Sequence, residues 1–127
     1  QIHPPYTPNH QKQCLINQTI RSGWLIINDH MQIVSVSEKV CEIIDSYQEM
    51  VVGETPAKFT TRDQMEMMRG YHYRRLLGDK TLPDLYRTTL IQRGGAKIPG
   101  IMHACGAYSD EKGNRFSVLQ VGRGGDI

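Results

Sequence analysis

Cysteine is scarce in this chain of 127 residues, and its spacing excludes a disulfide or zinc framework. The three cysteines, Cys14, Cys41 and Cys105, are an odd number and fit no zinc-ligand spacing. A chain that does not depend on disulfides is suited to a reducing compartment. The sequence therefore predicts a cytoplasmic protein.

Long apolar runs, a strong charge of one sign and enzyme motifs are also missing. No stretch approaches the roughly 20 apolar residues that span a bilayer, which predicts no direct membrane insertion. The formal net charge of +2 is too small to favour nucleic-acid binding. The sequence has no Gly-x-Ser-x-Gly, no P-loop and no His-Glu-x-x-His, so we expect a domain that is not an enzyme.

The composition instead predicts one globular domain behind a short N-terminal extension. Hydrophobic residues make up 39% of the chain and charged residues 22%, and this length can bury a core without cross-links. Pro4, Pro5 and Pro8 oppose a regular helix at the start, whereas residues 11–19 are compatible with a short helix. We expect residues 1–21 to be a tail with a possible cap helix, and residues 22–127 to be the domain.

Hydrophobic spacing predicts two strands, then helices, then three strands. Residues 24–27 and 32–37 form a predicted hairpin around the polar turn at 28–30. Ser37 is a candidate N-cap for a helix with Val40, Cys41, Ile44 and Tyr47 at helical spacing. The longest predicted helix, residues 61–77, carries a stripe of Met65, Met68, His72 and Leu76. Strands predicted at 84–93, 96–108 and 115–121 complete an α+β pattern, in which helices cover one face of an antiparallel sheet.

Four short motifs in this pattern resemble those of PAS sensor domains. Residues 86–95 are similar to the family's Tyr-Glu-x-x-x-x-x-Arg-Asp-Gly hairpin, with Gly94 in place of the aspartate. Ile98-Pro99-Gly100, Asp110-Glu111-Lys112-Gly113 and Asp126-Ile127 are similar to a strand start, a turn and the end of the last strand in that family. The resemblance covers residues 22–127 and implies a five-stranded antiparallel sheet, with helices on one face and a pocket between them.

The resemblance also implies a function. PAS domains are sensory and regulatory modules of multidomain signal-transduction proteins, among them two-component systems. By this resemblance the chain senses a small molecule in the pocket and relays the signal to an effector domain of the same protein. A homodimer is expected as well, with Cys14, Leu15 and Ile16 as its candidate interface. The alternative is a ligand-free module for dimerisation and relay.

The pocket wall can be read from strand alternation together with the family resemblance. One side of the second hairpin strand carries Ile98, Gly100, Met102, Ala104 and Gly106, and analogy with the family turns this row towards the pocket. Such a small-sided row either leaves an open cavity or is filled by helix side chains such as Met65 and Met68.

The candidate ligand-binding residues are Met68, Tyr71, His72, Met102 and Gln120. His72 also fits a core position whose hydrogen bonds are made within the protein. Gln120 shares one side of the last strand with Phe116 and Val118. If that side faces inward, its amide needs buried partners, and in the opposite register we expect Gln120 to be exposed.

The resemblance raises two specific cofactors, heme and flavin. In heme-binding PAS domains a histidine on the long helix ligates the iron, but that position aligns near Met68, one turn before His72. Light-sensing relatives carry Asn-Cys-Arg-Phe-Leu where this chain has Thr60-Thr61-Arg62-Asp63-Gln64, which opposes a covalent flavin adduct and leaves a noncovalent flavin open. An unidentified small molecule in an apolar pocket is favoured over both, and no metal site is predicted.

Overall fold

The computed structural model describes residues 22–124. The predicted cap helix, the candidate dimer interface around Leu15 and the Asp126-Ile127 motif lie outside these residues. The strands are β1 (Gly23–Asn28), β2 (Ile33–Val36), β3 (Leu85–Ile91), β4 (Lys97–Ser109) and β5 (Arg115–Arg123). The helices described are α1 (Glu38–Ile43), α2 (Gln48–Val51) and α3 (Arg62–Leu76), and a 3₁₀ turn lies at Pro56–Phe59.

The five strands form one antiparallel sheet in the order β2-β1-β5-β4-β3. The last strand lies at the centre, between β1 and β4, so Leu25 pairs with Leu119 and Ala104 pairs with the same leucine from the other side. The α+β fold predicted from the sequence is therefore confirmed.

The first helix begins where the sequence predicts and ends earlier. Ser37 is its N-cap, and the Ser37 hydroxyl accepts hydrogen bonds from the backbone N–H groups of Val40 and Trp24. Asp45 then takes a positive φ of 54° and breaks the helix. Tyr47 consequently does not continue the buried stripe of α1, as the spacing predicted, but precedes α2 with its ring largely exposed.

The long helix α3 confirms the predicted stripe. Met65, Met68 and His72 are buried against the sheet, while Leu76 is half-buried. Gly70 faces solvent with nothing near its missing side chain, which explains why a glycine is tolerated inside the helix. Gly78 follows the helix end with a φ of 93°, a backbone conformation that favours glycine at this position.

The two faces of the sheet differ in what covers them. On the inner face, α1 and α3 pack over a large core that includes Leu25, Leu119 and Val121. On the outer face, Ile26, Cys105 and Val118 form a second cluster that contains no helix residue. Strand alternation places Ile101, His103 and Gln120 on this outer face too, and all three are buried.

A bulge in β4 changes which residues point towards the helices. Ala104 pairs with Leu119 on the inner face, but the register then shifts and Gly106 pairs with Val118 on the outer face. The predicted inner row is confirmed as far as Ala104 and is wrong for Gly106. Beyond the bulge, Tyr108 stacks on Phe116, with ring centroids 5.1 Å apart.

Candidate functional site

A small apolar cavity lies between the inner face of the sheet and the helices. Its volume is about 30 Å³, which exceeds the roughly 10–15 Å³ that one water molecule needs. The walls are the side chains of Leu25, Ile33, Val40, Ile44, Val51, Pro56, Phe59, Thr60, Met68, Leu90, Met102 and Val121. An apolar cavity of this kind stays dry and favours apolar occupants.

The one polar side chain in the cavity wall is already bonded within the protein. The Thr60 hydroxyl donates to the backbone carbonyl of Thr89 at 2.6 Å and lies 3.4 Å from the Thr88 hydroxyl. Thr60 therefore offers little to a polar ligand, and shape rather than hydrogen bonding selects what can enter.

Two of the five candidate ligand-binding residues meet in this wall. Met68 comes from α3 and Met102 from β4, and both are almost completely buried. Met65 is buried on the same face of α3. The sequence left open whether the small residues of β4 face an open cavity or are covered by side chains from the helix. The helix side chains fill most of the space, and only the small cavity remains. Because methionine is flexible, rotation about its side-chain bonds can change the volume at low cost.

Tyr71 lies outside the group of side chains that line the cavity. Its ring meets Tyr86 of β3 edge-to-face, with centroids 5.9 Å apart. The Arg75 guanidinium lies 5.6 Å from the centre of the Tyr71 ring, and burial raises the pKa of Tyr86. This cluster attaches the side of α3 to the edge strand and does not contact the cavity.

His72 is also outside the cavity wall, and both of its ring nitrogens have partners in the protein. Nε2 lies 2.8 Å from the backbone carbonyl oxygen of Asn28, and Nδ1 lies 2.7 Å from the Ser117 hydroxyl. Burial is the largest of the effects that lower the pKa of His72. The side chain therefore joins α3 to β1 and β5, and its lowered pKa favours the neutral imidazole.

Gln120 lies on the outer face of the sheet, across the strand from the cavity. Its amide oxygen is 3.3 Å from Nδ1 of His103, and both side chains are about 4% exposed. The register of β5 turns Gln120 away from the helices, and in that case the sequence predicted an exposed side chain. Gln120 is buried instead, so that prediction is wrong. The five candidate residues therefore do not surround a single pocket.

The turn between β3 and β4 holds the end of α1 beside the cavity, a role that the sequence did not indicate. The Gln92 side-chain amide donates a hydrogen bond to the backbone carbonyl of Ile43 at 3.0 Å. The Arg93 backbone N–H donates to the backbone carbonyl of Ile44, also at 3.0 Å. The Arg93 guanidinium donates to the Asp45 carbonyl at 2.9 Å and lies over the ring of Tyr47. The only signal was the arginine of the hairpin motif, whose contacts depend on the tertiary fold.

Neither heme nor flavin fits the cavity as it stands. Pockets for ligands of that size span about 300–1,000 Å³, at least tenfold more than the volume here. Within residues 22–124, no group of three His, Cys, Asp or Glu side chains is placed to hold a metal ion. In the same range, no helix has the length and apolar character needed to cross a membrane.

Comparisons with solved structures identify the architecture. A PAS domain of a two-component sensor histidine kinase matches 90% of this chain and 97% of its own, with a TM-score of 0.65 at 12% identity. The PAS-B domain of Drosophila melanogaster Cycle with bound ethylene glycol matches 80% of this chain and 98% of its own, with a TM-score of 0.64 at 6% identity.

A third similar structure, a fungal LOV domain photoreceptor, matches 81% of this chain and 73% of its own, with a TM-score of 0.66 at 12% identity. No protein-family model matches the sequence, and no curated protein matches it. The identities are too low to show more than the fold. That fold, an open five-stranded antiparallel sheet with helices on one face, is the PAS fold.

Proposed function

We propose that this domain is a sensory and regulatory PAS module whose cavity takes up a small apolar molecule. The observation that carries the proposal is the apolar cavity between sheet and helices, with Met68 and Met102 in its wall. Binding there pushes α3 and the sheet apart, because the cavity is smaller than all but the smallest ligands. A ligand with higher affinity for the expanded state shifts the domain towards that state.

The signal then passes from the sheet to an output domain of the same protein. Val121 lines the cavity and belongs to β5, the central strand that ends at Arg123 near the C-terminus. Movement of the cavity wall therefore acts on the strand closest to any following domain. We propose that the module itself has no catalytic activity and that it works in the cytoplasm, in keeping with the free, buried thiol of Cys41.

Native and denaturing mass spectrometry of freshly purified protein, with an absorption spectrum, is the first test. A mass excess that is lost on denaturation identifies a bound molecule, and its mass and spectrum separate a colourless ligand from heme or flavin. A chromophore of heme or flavin size would contradict the proposal, because the cavity would have to open about tenfold.

Xenon provides a second test with a defined apolar probe. We expect dissolved xenon to shift the methyl resonances of Met68 and Met102 in the NMR spectrum. Val121→Ile, which adds one methylene to the cavity wall, should abolish the shifts. Val34→Ile makes the same change on the outer side of the sheet and should leave them intact. Equal shifts in both variants, or none in the wild type, would refute the cavity as a binding site.

A second function, ligand-free relay, is favoured by the small cavity volume alone. In that case the core transmits force between the two ends of the domain and needs no small molecule. The two functions differ in one measurable respect. A relay module gives no mass excess and no xenon shifts, yet the module still controls the activity of its output domain.

We further propose that the protein forms a homodimer with Cys14, Leu15 and Ile16 as its candidate interface. The proposal rests on the resemblance to PAS domains, because these three residues lie outside the part of the chain that the structure describes. Deletion of residues 1–20, with the mass measured by light scattering, tests both parts. An unchanged dimer would exclude this segment as the interface, and a monomeric starting protein would exclude the dimer itself.

A further inference from the structure

His72 connects three elements at a point away from the cavity. It extends from α3, while its ring nitrogens meet the end of β1 at Asn28 and the centre of the sheet at Ser117. Its side chain is 4% exposed. In the part of α3 that follows Gly70, His72 is the one fully buried residue, since Leu76 is half-buried and Tyr73 is exposed. His72 is therefore the fully buried contact of this half of the helix with the sheet, while Tyr71 and Arg75 contact Tyr86 at the edge strand.

The two hydrogen bonds determine where the imidazole carries its proton. A backbone carbonyl can only accept, so Nε2 carries the hydrogen and donates it to the Asn28 oxygen. Nδ1 then has a free lone pair, and the Ser117 hydroxyl donates to it. Of the two neutral tautomers, only the Nε2–H form satisfies both hydrogen bonds.

A second proton, taken from solvent onto Nδ1, disturbs this arrangement. Nδ1 becomes a donor, so the Ser117 hydroxyl must turn its own hydrogen away to accept the new bond. The positive charge also forms in a site that water scarcely reaches, which is costly because burial disfavours the charged form.

The charged and titratable neighbours of His72 do not cancel this cost. Arg75 and Tyr73 come from α3 itself, Asp29 comes from the turn after β1, and β5 contributes the uncharged Ser117. The hydrogen bond to the Asn28 carbonyl and the charge of Asp29 favour an imidazolium, whereas Arg75 repels it, and each of these effects is smaller than burial. The net result is a pKa below the ordinary value for histidine.

The sign of the pH effect follows from linkage. A histidine whose pKa is lower in the closed state binds its proton more readily when the helix is undocked. The docked helix therefore has its full stability above the ordinary histidine pKa of about 6.5. That stability declines as the pH falls below this value, because the undocked state takes up the proton first.

We propose that His72 is a proton-sensitive latch, which holds the second half of α3 against the sheet while neutral and releases it when protonated. Met65 and Met68 keep the first half of the helix in the core in either state. Acidification thus loosens one end of the helix that forms a cavity wall. The latch does not depend on whether the cavity binds a ligand.

Hydrogen exchange of the α3 amides, measured between about pH 8 and about pH 5 and corrected for the intrinsic rate, tests the latch in the full chain. We expect protection of residues 70–77 to fall below about pH 6.5, by at most roughly tenfold per pH unit for one proton. His72→Gln keeps an amide donor but cannot titrate, so its protection should not change with pH. His30→Gln removes an exposed histidine and should behave as the wild type.

Nitrogen-15 NMR of the wild-type imidazole rings gives an answer even if His72→Gln does not fold. The expected result at neutral pH is the Nε2–H tautomer for His72. The Nδ1–H tautomer would overturn the hydrogen-bond assignment on which the latch depends. Constant protection of α3 across the pH range, or a pH dependence that persists in His72→Gln, would overturn the latch itself.

Discussion

Substitution of Gly23 by alanine should strongly destabilise the domain, because the first residue of β1 lies directly against the start of α1. A Cβ atom at this position would meet the Ser37 hydroxyl and would lie 2.8 Å from both the backbone nitrogen and a methyl group of Val40. The Val40 nitrogen is part of the backbone and cannot rotate away. The strand or the helix must therefore move.

The expected cost can be worked out from these contacts. Overpacking a rigid core site costs about 1–3 kcal/mol. Ser37 also caps α1 and accepts a bond from Trp24, so a displaced Ser37 adds up to about 1 kcal/mol. Alanine also reduces the conformational entropy of the unfolded chain, which stabilises the folded state by about 0.4–1 kcal/mol and offsets part of this cost. A net loss of about 2 kcal/mol corresponds to a fall in Tm of about 8–16 °C for a domain of this size.

Urea denaturation followed by far-UV circular dichroism measures this loss without relying on Trp24, the neighbour of the changed residue. Gly70→Ala is the matched control, because nothing lies within 4 Å of its missing side chain. We expect that variant to gain about 0.5–1 kcal/mol from the higher helix propensity of alanine. The reasoning would be refuted if Gly23→Ala unfolded within about 0.5 kcal/mol of the wild type while Gly70→Ala behaved as expected.

Three further predictions concern side chains at the surface and in the core. Arg93→Ala should lower the free energy of unfolding in urea by about 1 kcal/mol, because the bond from its guanidinium to the Asp45 carbonyl is lost. No change would mean that the Arg93 side chain does not support α1. Asp79, whose pKa is lowered to about 2 mainly by hydrogen bonds from Thr81, should show that value in a carboxyl NMR titration. Its contribution to stability should be present above about pH 4 and be lost towards pH 2, and an unshifted value would contradict the Thr81 contacts. Burial raises the pKa of the Cys41 thiol, so we expect Cys41 to react with iodoacetamide only after urea is added. Peptide mass mapping measures the labelling, and fast labelling of the native protein would disprove the burial of Cys41.

Periodicity was sufficient to predict the five strands and the helices α1 and α3, but not the short helix α2. The stripe of Met65, Met68 and His72 on α3 reflects burial of one helix face, and local spacing records such burial directly. Ser37 was recognisable as a cap because capping is a local interaction. These features depend on residues three or four positions apart, which is why they can be read without the tertiary structure.

The errors arose where tertiary pairing overrides local pattern. Gln120 lies between Leu119 and Val121, and all three are buried, so alternation along β5 could not show which face meets the helices. The bulge beside Cys105 reverses the direction of the following residues without any change of composition. Alternation therefore cannot place Gln120 in the cavity, whereas the helical stripe of α3 places Met68 and analogy with the family places Met102.

The position of β5 has a consequence for how the chain acquires its structure. Gly23 pairs with Val121, so the central ladder of the sheet joins residues that are about a hundred positions apart. Such a distant pairing makes folding slow, because a long loop must close before the contacts form. During synthesis, β1 and β4 have no central partner until the end of the domain has left the ribosome. The hairpin of β1 and β2 and the helix α3 therefore cannot complete their packing until β5 has been synthesised.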